Sequence, residues 1–193
     1  AVTELLANFS LSVSAMNKFL RCPLSFYYEN VLRVPTLVSE AARFGIAMHN
    51  ALYRGFAKML ASSKKQFPPT AAFVKFFEDE LRAKRGFFGK KEYDRRLALG
   101  QKYLEDYVQA HRPAWPTQVQ VEQELKNVEV EGVPIKGVID RIDLLGDQRV
   151  HLVDYKTGNQ SKTKLAKPTE KNPLGGSYWR QLVFYKILFE NWR

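Results

Sequence analysis

Two acids and a lysine carry the first chemical signal. In "VDYKTG" (153–158), Asp154 and Lys156 stand two residues apart where "RVHLVDY" reads as a short β-strand. Strand alternation puts both side chains on one face and Tyr155 on the other. A carboxylate and an ammonium in a buried strand are costly unless they pair or bind something. Asp140, in "GVIDRID", breaks the row Val138, Ile142, Leu144 with a single carboxylate, while its neighbour Arg141 faces elsewhere. In a meander these two strands are adjacent, so Asp140 can lie beside Asp154. Close carboxylates repel unless a cation lies between them, and hard oxygen ligands at an open site suit Mg²⁺ or Mn²⁺. Lys156 would then be placed to position water or to meet charge on a phosphate. Spacing alone leaves the plainer alternative open, a strand salt bridge with no ligand.

The elements that must position these residues change character along the chain. "LSVSAMNKFLRCPLSFYYENVL" predicts a helix capped by Ser12 or Ser14 and kinked or broken by Pro23. "SEAARFGIAMHNALYRGFAKMLASS" predicts a stronger helix capped by Ser39. Pro68 and Pro69 precede a third, and "KKEYDRRLALGQKYLEDYVQAH" makes a fourth. From residue 113 the pattern turns to three strands, "TQVQVEQELKNVEV", "VPIKGVIDRIDLLG" and "RVHLVDYKTG", with turns at "EG" and "GDQ". A loop rich in Lys, Pro and Gly follows, then the helix "SYWRQLVFYKILFEN", in which Gln181 and Tyr185 share a face. The expectation is an α/β core with a helical region in front, 1–112 mainly helical and 113–193 carrying the sheet and the Gln/Tyr helix.

The chain has 193 residues, 45% apolar and 13% aromatic, enough for a core and against disorder. No apolar run reaches transmembrane length and the first residues lack a signal-peptide pattern, so the expectation is a cytoplasmic protein with no membrane partner. Thirty Lys and Arg against 20 Asp and Glu leave a net charge of +10, which fits an anionic partner, most simply nucleic acid. The chain starts without Met and stops inside a helical pattern, which reads as a piece of a longer polypeptide.

Taken together, Asp140, then Asp154-Tyr155-Lys156, then Gln181 with Tyr185 resemble motifs two, three and four of the PD-(D/E)XK nuclease superfamily. They are most similar to its RecB-like branch, where "GxxDRxD", "DYKTG" and "QLxxY" recur. "LSVSAMNKFLRCPLSFYY" resembles that branch's opening, and "FGIAMHNAL" resembles its "G-x-x-x-H" helix. The resemblance implies a restriction-endonuclease-like core over residues 1–193, with a mostly antiparallel central sheet, flanking helices and a last core strand beyond Arg193. It implies that His49, Asp140 and Asp154 ligate Mg²⁺ or Mn²⁺ with the Tyr155 backbone carbonyl, and that Lys156 is the catalytic lysine. Gln181 and Tyr185 would contact DNA or orient the active groups. By residue type alone, Lys162, Lys164, Lys167 and Lys171 of the 159–176 loop, with Arg180, read as DNA-binding cations, and the loop reads equally as a solvated, mobile charged segment.

The implied activity is DNA phosphodiester hydrolysis, more exonuclease than endonuclease, on single-stranded DNA in repair and recombination beside or fused to a superfamily I helicase. A DNA-binding module that has lost cleavage, or a structure-specific endonuclease of the same fold, are the alternatives. Several residues also have plainer readings. His49, on a helical face with Ile46 and Tyr53, reads by itself as a core histidine. Gln181 and Tyr185 read equally as a polar pair on a packed helix. Of two acids on the first strand, Glu122 and Glu124, Glu124 is the candidate for an outer support of the site. Cys22 is the one cysteine, so no four-cysteine iron–sulfur cluster can form within the chain, and a buried thiol is expected. Arg82, Lys84, Arg85, Lys90, Lys91, Arg95 and Arg96 make a second basic region. Its Phe87 and Phe88 can stack on bases or pack in the core.

Overall fold

A computed structural model of the chain describes residues 2–158 and 161–192. Helices α1 (Val2–Ala7), α2 (Val13–Arg21) and α3 (Pro23–Phe26) lead into a π-helical turn, Tyr27–Val31. Three longer helices follow, α4 (Glu40–Ala61), α5 (Thr70–Ala83) and α6 (Lys90–His111). Strands β1 (Val119–Val130), β2 (Val133–Gly146) and β3 (Arg149–Val153) come next, then α7 (Lys162–Leu165) and α8 (Ser177–Asn191). Ser12 caps α2 by accepting from the Ala15 N–H at 3.3 Å, and Ser39 caps α4 through the Ala42 N–H at 3.2 Å. Pro23 breaks the first predicted helix outright. α2 ends at Arg21, Cys22 is extended, and Pro23 restarts the helix at a position that needs no N–H.

The three strands form an antiparallel sheet in the order β1-β2-β3, so the chain has the α/β architecture expected from its sequence. Glu131 and Gly132 carry φ of +50° and +78°, and Asp147 and Gln148 carry +49° and +58°. Paired left-handed residues are what tight antiparallel hairpins need to match strand twist. In β2–β3, Arg141 lies opposite Val153, Ile142 opposite Leu152 and Asp143 opposite His151, with an irregularity between Leu144 and Gly146. The third strand is shorter than its sequence suggests. Asp154 to Thr157 follow it as irregular chain.

Two compact units share the chain. The α4–α6 unit comprises Val38–Glu122 and Asp140–Gly158; the α8 unit comprises the chain up to Leu37, Gln123–Ile139 and the chain from residue 159 on. The α4–α6 unit is built on a phenylalanine-rich core that includes Phe44, Phe56, Phe73, Phe77 and Leu104, with the Trp115 ring 4.8 Å from that of Phe56. Gly55 lets α4 and α5 approach, since a Cβ there would lie 1.8 Å from Phe73 Cε1. Asn50 donates to Glu80 at 2.9 Å and adds a polar tie between the same helices. In the α8 unit, Leu11 bridges to Ile135, and Leu125, Ile139, Phe184 and Leu188 are buried. Among the described residues no helix is long and apolar enough to cross a membrane.

Candidate active site

Helix α4 delivers His49. Ala47, Met48 and Ala51 face the core, and the core-histidine reading requires Ile46 and Tyr53 to do the same. They do not: Ile46 is 46% exposed and Tyr53 40%. His49 therefore stands at the rim of a solvent-facing stripe. Gly45, one turn earlier, explains the glycine of "G-x-x-x-H". A Cβ there would meet Thr157 Oγ1 at 3.2 Å, so the small residue lets α4 pass close to the Asp154–Gly158 segment.

His49 Nδ1 lies 3.4 Å from Asp140 Oδ1, and Asp140 Oδ2 accepts the Tyr155 N–H at 2.7 Å. The His49 and Tyr155 rings meet edge to face at 5.9 Å. Asp154 and Lys156 form a direct ion pair, although the strand expected to align them ends at Val153 and both stand on irregular chain. Flanking Asp140, Val138 and Leu144 are each 40% exposed and Ile142 is fully buried. The apolar row is thus exposed at its ends, while Asp140 itself is largely buried beside Ile142.

A third acid joins them. Ligand atoms of His49, Glu122 and Asp140 all lie within 4.8 Å of one another, a spacing that can hold a metal ion. Glu122 has φ +48°, left-handed backbone that a non-glycine residue adopts at some cost and that re-aims a strand side chain. Glu124, the acid favoured by sequence reasoning, pairs instead with Lys126 at 2.8 Å on the exposed surface. The signal for Glu122 was limited to its residue type, because a bulged backbone is not written in strand alternation.

The electrostatics agree with clustered acids. Burial pushes the Asp154 pKa up, Lys156 opposes that, and the Asp140 charge adds to it. Loss of water around the Glu122 carboxylate, then Asp140, raises Glu122. For His49, burial alone would lower the pKa. The hydrogen bond and charge of Asp140, then the charge of Asp154, outweigh it and raise the imidazole. One imidazole and several hard carboxylate oxygens with an open side are a donor set that fits a divalent cation.

Behind this face lies a network that sequence reasoning did not assemble. Arg141 and Asp143 are 6% and 3% exposed, with Nε and Nη2 donating to the two carboxylate oxygens at 2.6 and 3.0 Å. Arg141 Nη1 donates to the Tyr155 hydroxyl at 2.9 Å, and its guanidinium lies 4.8 Å from the Phe56 ring centroid. Burial raises the Tyr155 pKa, so the hydroxyl stays a neutral partner. Tyr155 therefore links the two faces: its side chain is anchored below, and its N–H holds Asp140 above.

His49, Asp140, Asp154, Tyr155 and Lys156 come together in the α4–α6 unit, and the remaining predicted site residues belong to the α8 unit. There Gln181 donates to the Tyr185 hydroxyl at 3.0 Å, and Tyr185 is buried. Lys164 lies 5.1 Å from the Tyr178 ring and Lys167 5.8 Å from that of Trp179, while Lys162 and Lys171 are exposed. Arg180 donates to Asn17 at 2.7 Å and to the Gly175 carbonyl at 2.8 Å, joining α2, α8 and the loop before it. Cys22 is half-buried rather than buried, and hydrogen bonds from Ser25 hold its pKa below the usual thiol range.

Comparison with curated proteins and with solved structures returned no match. A family model described as the PD-(D/E)XK nuclease superfamily matches residues 10–192. That span takes in α2, the His49 helix, all three strands and α8, and the α/β fold agrees with it. The chain belongs to the PD-(D/E)XK nuclease superfamily.

Proposed function

We propose that the chain is a Mg²⁺- or Mn²⁺-dependent DNA nuclease of the RecB-like branch, acting as the exonuclease domain of a helicase–nuclease in repair or recombination. The observation that carries this reading is the convergence of His49, Glu122 and Asp140 ligand atoms within 4.8 Å, in the same unit as the Asp154–Lys156 pair. PD-(D/E)XK nucleases use divalent metals, and here His49, Glu122, Asp140 and Asp154 would hold the ion with the Tyr155 carbonyl. Once bound, the ion supplies Lewis-acid charge at the scissile phosphate.

The protein's own groups do the rest. Lys156 carries a cation toward the phosphate and opposes the negative charge that grows on its oxygens as water adds to phosphorus and the sugar oxygen departs. Asp154 holds that ammonium in place, and the Tyr155 N–H fixes the rotamer of Asp140. Gln181 and Tyr185, with Lys162, Lys164, Lys167, Lys171 and Arg180, are the proposed DNA-contacting groups of the α8 unit. The substrate fitting this reading is a single strand delivered by a superfamily I helicase.

The test is incubation of labelled linear and circular single-stranded DNA with Mg²⁺, Mn²⁺ or EDTA. Degradation of the linear form with either ion, none in EDTA and an intact circle are expected. A cut circle would replace the exonuclease reading by an endonuclease one. Lys156→Ala should lower the rate about 10²–10³-fold while Mn²⁺ binding persists. Asp140→Asn should lose Mn²⁺ affinity and cleavage together. Unchanged cleavage in Lys156→Ala would refute the mechanism.

A further inference from the structure

The basic region between α5 and α6 holds two adjacent phenylalanines with opposite fates. Phe88 is 6% exposed and packs beside Tyr93, whereas Phe87 is 59% exposed. The Phe87 ring is not bare on both faces. The Arg43 guanidinium lies 3.5 Å from its centroid, leaving a flat, cation-backed aromatic surface toward solvent.

Lys90 and Lys91, exposed just beyond it, occupy the first turn of α6. Cations there oppose the helix dipole, which favours acids in a first turn, so their placement does not serve the helix. Among the described residues no carboxylate forms an ion pair with either lysine.

Arg43 is on the same helix as His49. Six residues at about 1.5 Å each separate them by about 9 Å along the axis. Ile46, 46% exposed, lies between them both along the axis and around it, so one partly exposed face of α4 runs from His49 past Ile46 to Arg43, whose guanidinium meets the Phe87 ring. All of it lies within the α4–α6 unit.

We propose that Phe87, backed by Arg43 and flanked by Lys90 and Lys91, is a base-stacking platform for single-stranded DNA whose phosphate lies at the His49–Asp140 site. This rests on the nuclease reading above. Unpaired bases present a free face to an aromatic ring, whereas duplex bases are already stacked on one another, so the platform selects a single strand. Lys90 and Lys91 meet phosphates of the same strand. Phe87 is the exposed ring of the two because Phe88 supplies the packing.

The experiment is fluorescence-anisotropy binding in EDTA, so that nothing is cut, using oligodeoxythymidylate, an abasic backbone of equal length and a duplex. Phe87→Ala should weaken oligodeoxythymidylate binding about 5- to 150-fold, the range for a lost base–aromatic stack. It should leave the abasic backbone and duplex within about twofold, where no such stack exists to lose. Phe87→Trp should restore or tighten binding. Lys90→Gln with Lys91→Gln should reduce the salt slope of single-strand binding by roughly 1.4, two phosphate contacts at about 0.7 each.

Equal oligodeoxythymidylate affinity for Phe87→Ala and wild type overturns the platform, as does an equal loss on the abasic strand, which would mean a structural effect. Wild-type protein that binds no single strand and cuts none would overturn the nuclease reading and the platform together. Wild-type binding and cleavage with an indifferent Phe87→Ala overturns the platform alone.

Discussion

Arg141→Met isolates the network under the site. Arg141 makes two hydrogen bonds to Asp143, at 2.6 and 3.0 Å, and a third to Tyr155 at 2.9 Å, all around a carboxylate only 3% exposed. Met keeps much of the volume and the contact with Phe56 but strips the buried Asp143 carboxylate of both guanidinium hydrogen bonds, leaving the largely exposed His151 ring with its Nδ1 3.5 Å from Oδ2. Breaking a buried pair from one side costs about 3–5 kcal/mol. For a chain of this length each kcal/mol moves the melting temperature by about 2–4 °C, so a fall of roughly 6–20 °C is expected by calorimetry. The second half of the test removes both charges. Arg141→Met with Asp143→Leu should recover most of that loss, because apolar replacement of a whole buried pair is often near neutral. Recovery of stability need not restore the site. The Tyr155 hydroxyl still lacks its anchor, so Mn²⁺ affinity should stay below wild type through the Tyr155 N–H contact to Asp140. A single variant within about 0.5 kcal/mol of wild type, the scale of an ordinary surface change, would refute the reasoning. So would a double variant no more stable than the single one.

Three further outcomes follow from separate parts of the molecule. Glu122→Gln should lower Mn²⁺ affinity about tenfold or more in isothermal titration, whereas Glu124→Gln, which breaks a surface pair, should leave it unchanged. Gly55→Ala, whose Cβ would lie 1.8 Å from Phe73, should destabilise by about 1–3 kcal/mol, and Phe73→Leu in the same chain should recover part of it. Glu92 accepts from Arg95 and Arg96, which lower its pKa to about 2. A depressed folded-state pKa stabilises above the unfolded value and is lost as pH falls through the folded one. Glu92→Gln should therefore be less stable than wild type at neutral pH, with the difference shrinking as pH falls toward 2 and vanishing below it, and a constant difference across that range would exclude the assignment.

The legible parts were those governed by period and residue type. The long helices α4 to α6 and the hairpins at "EG" and "GDQ" follow from periodicity, capping and turn chemistry, whereas Asp154 and Lys156 pair beyond the end of β3 rather than on a strand face. Two features escaped because they depend on backbone departures or on packing. Glu122 enters the site through a left-handed residue inside a strand, and alternation alone ranked it no higher than Glu124. His49 looked like a core residue because Ile46 and Tyr53 share its face. Apolar type does not say which side of a helix finds a partner, and both residues are substantially exposed.

Arg141 and Asp143 show why the acidic motif alternates as it does. Even positions of β2 near the site carry Asp140, and odd positions carry Arg141 and Asp143 into the interior. A slip of one residue in strand register would exchange the two rows. Asp140 would then be buried with no cation beside it, and a bidentate ion pair would be turned out to solvent, where it contributes little. The correct register avoids both losses. The buried pair thus helps to fix which face of β2 carries Asp140, and Asp140 takes its place beside His49 by being the acid on the other row.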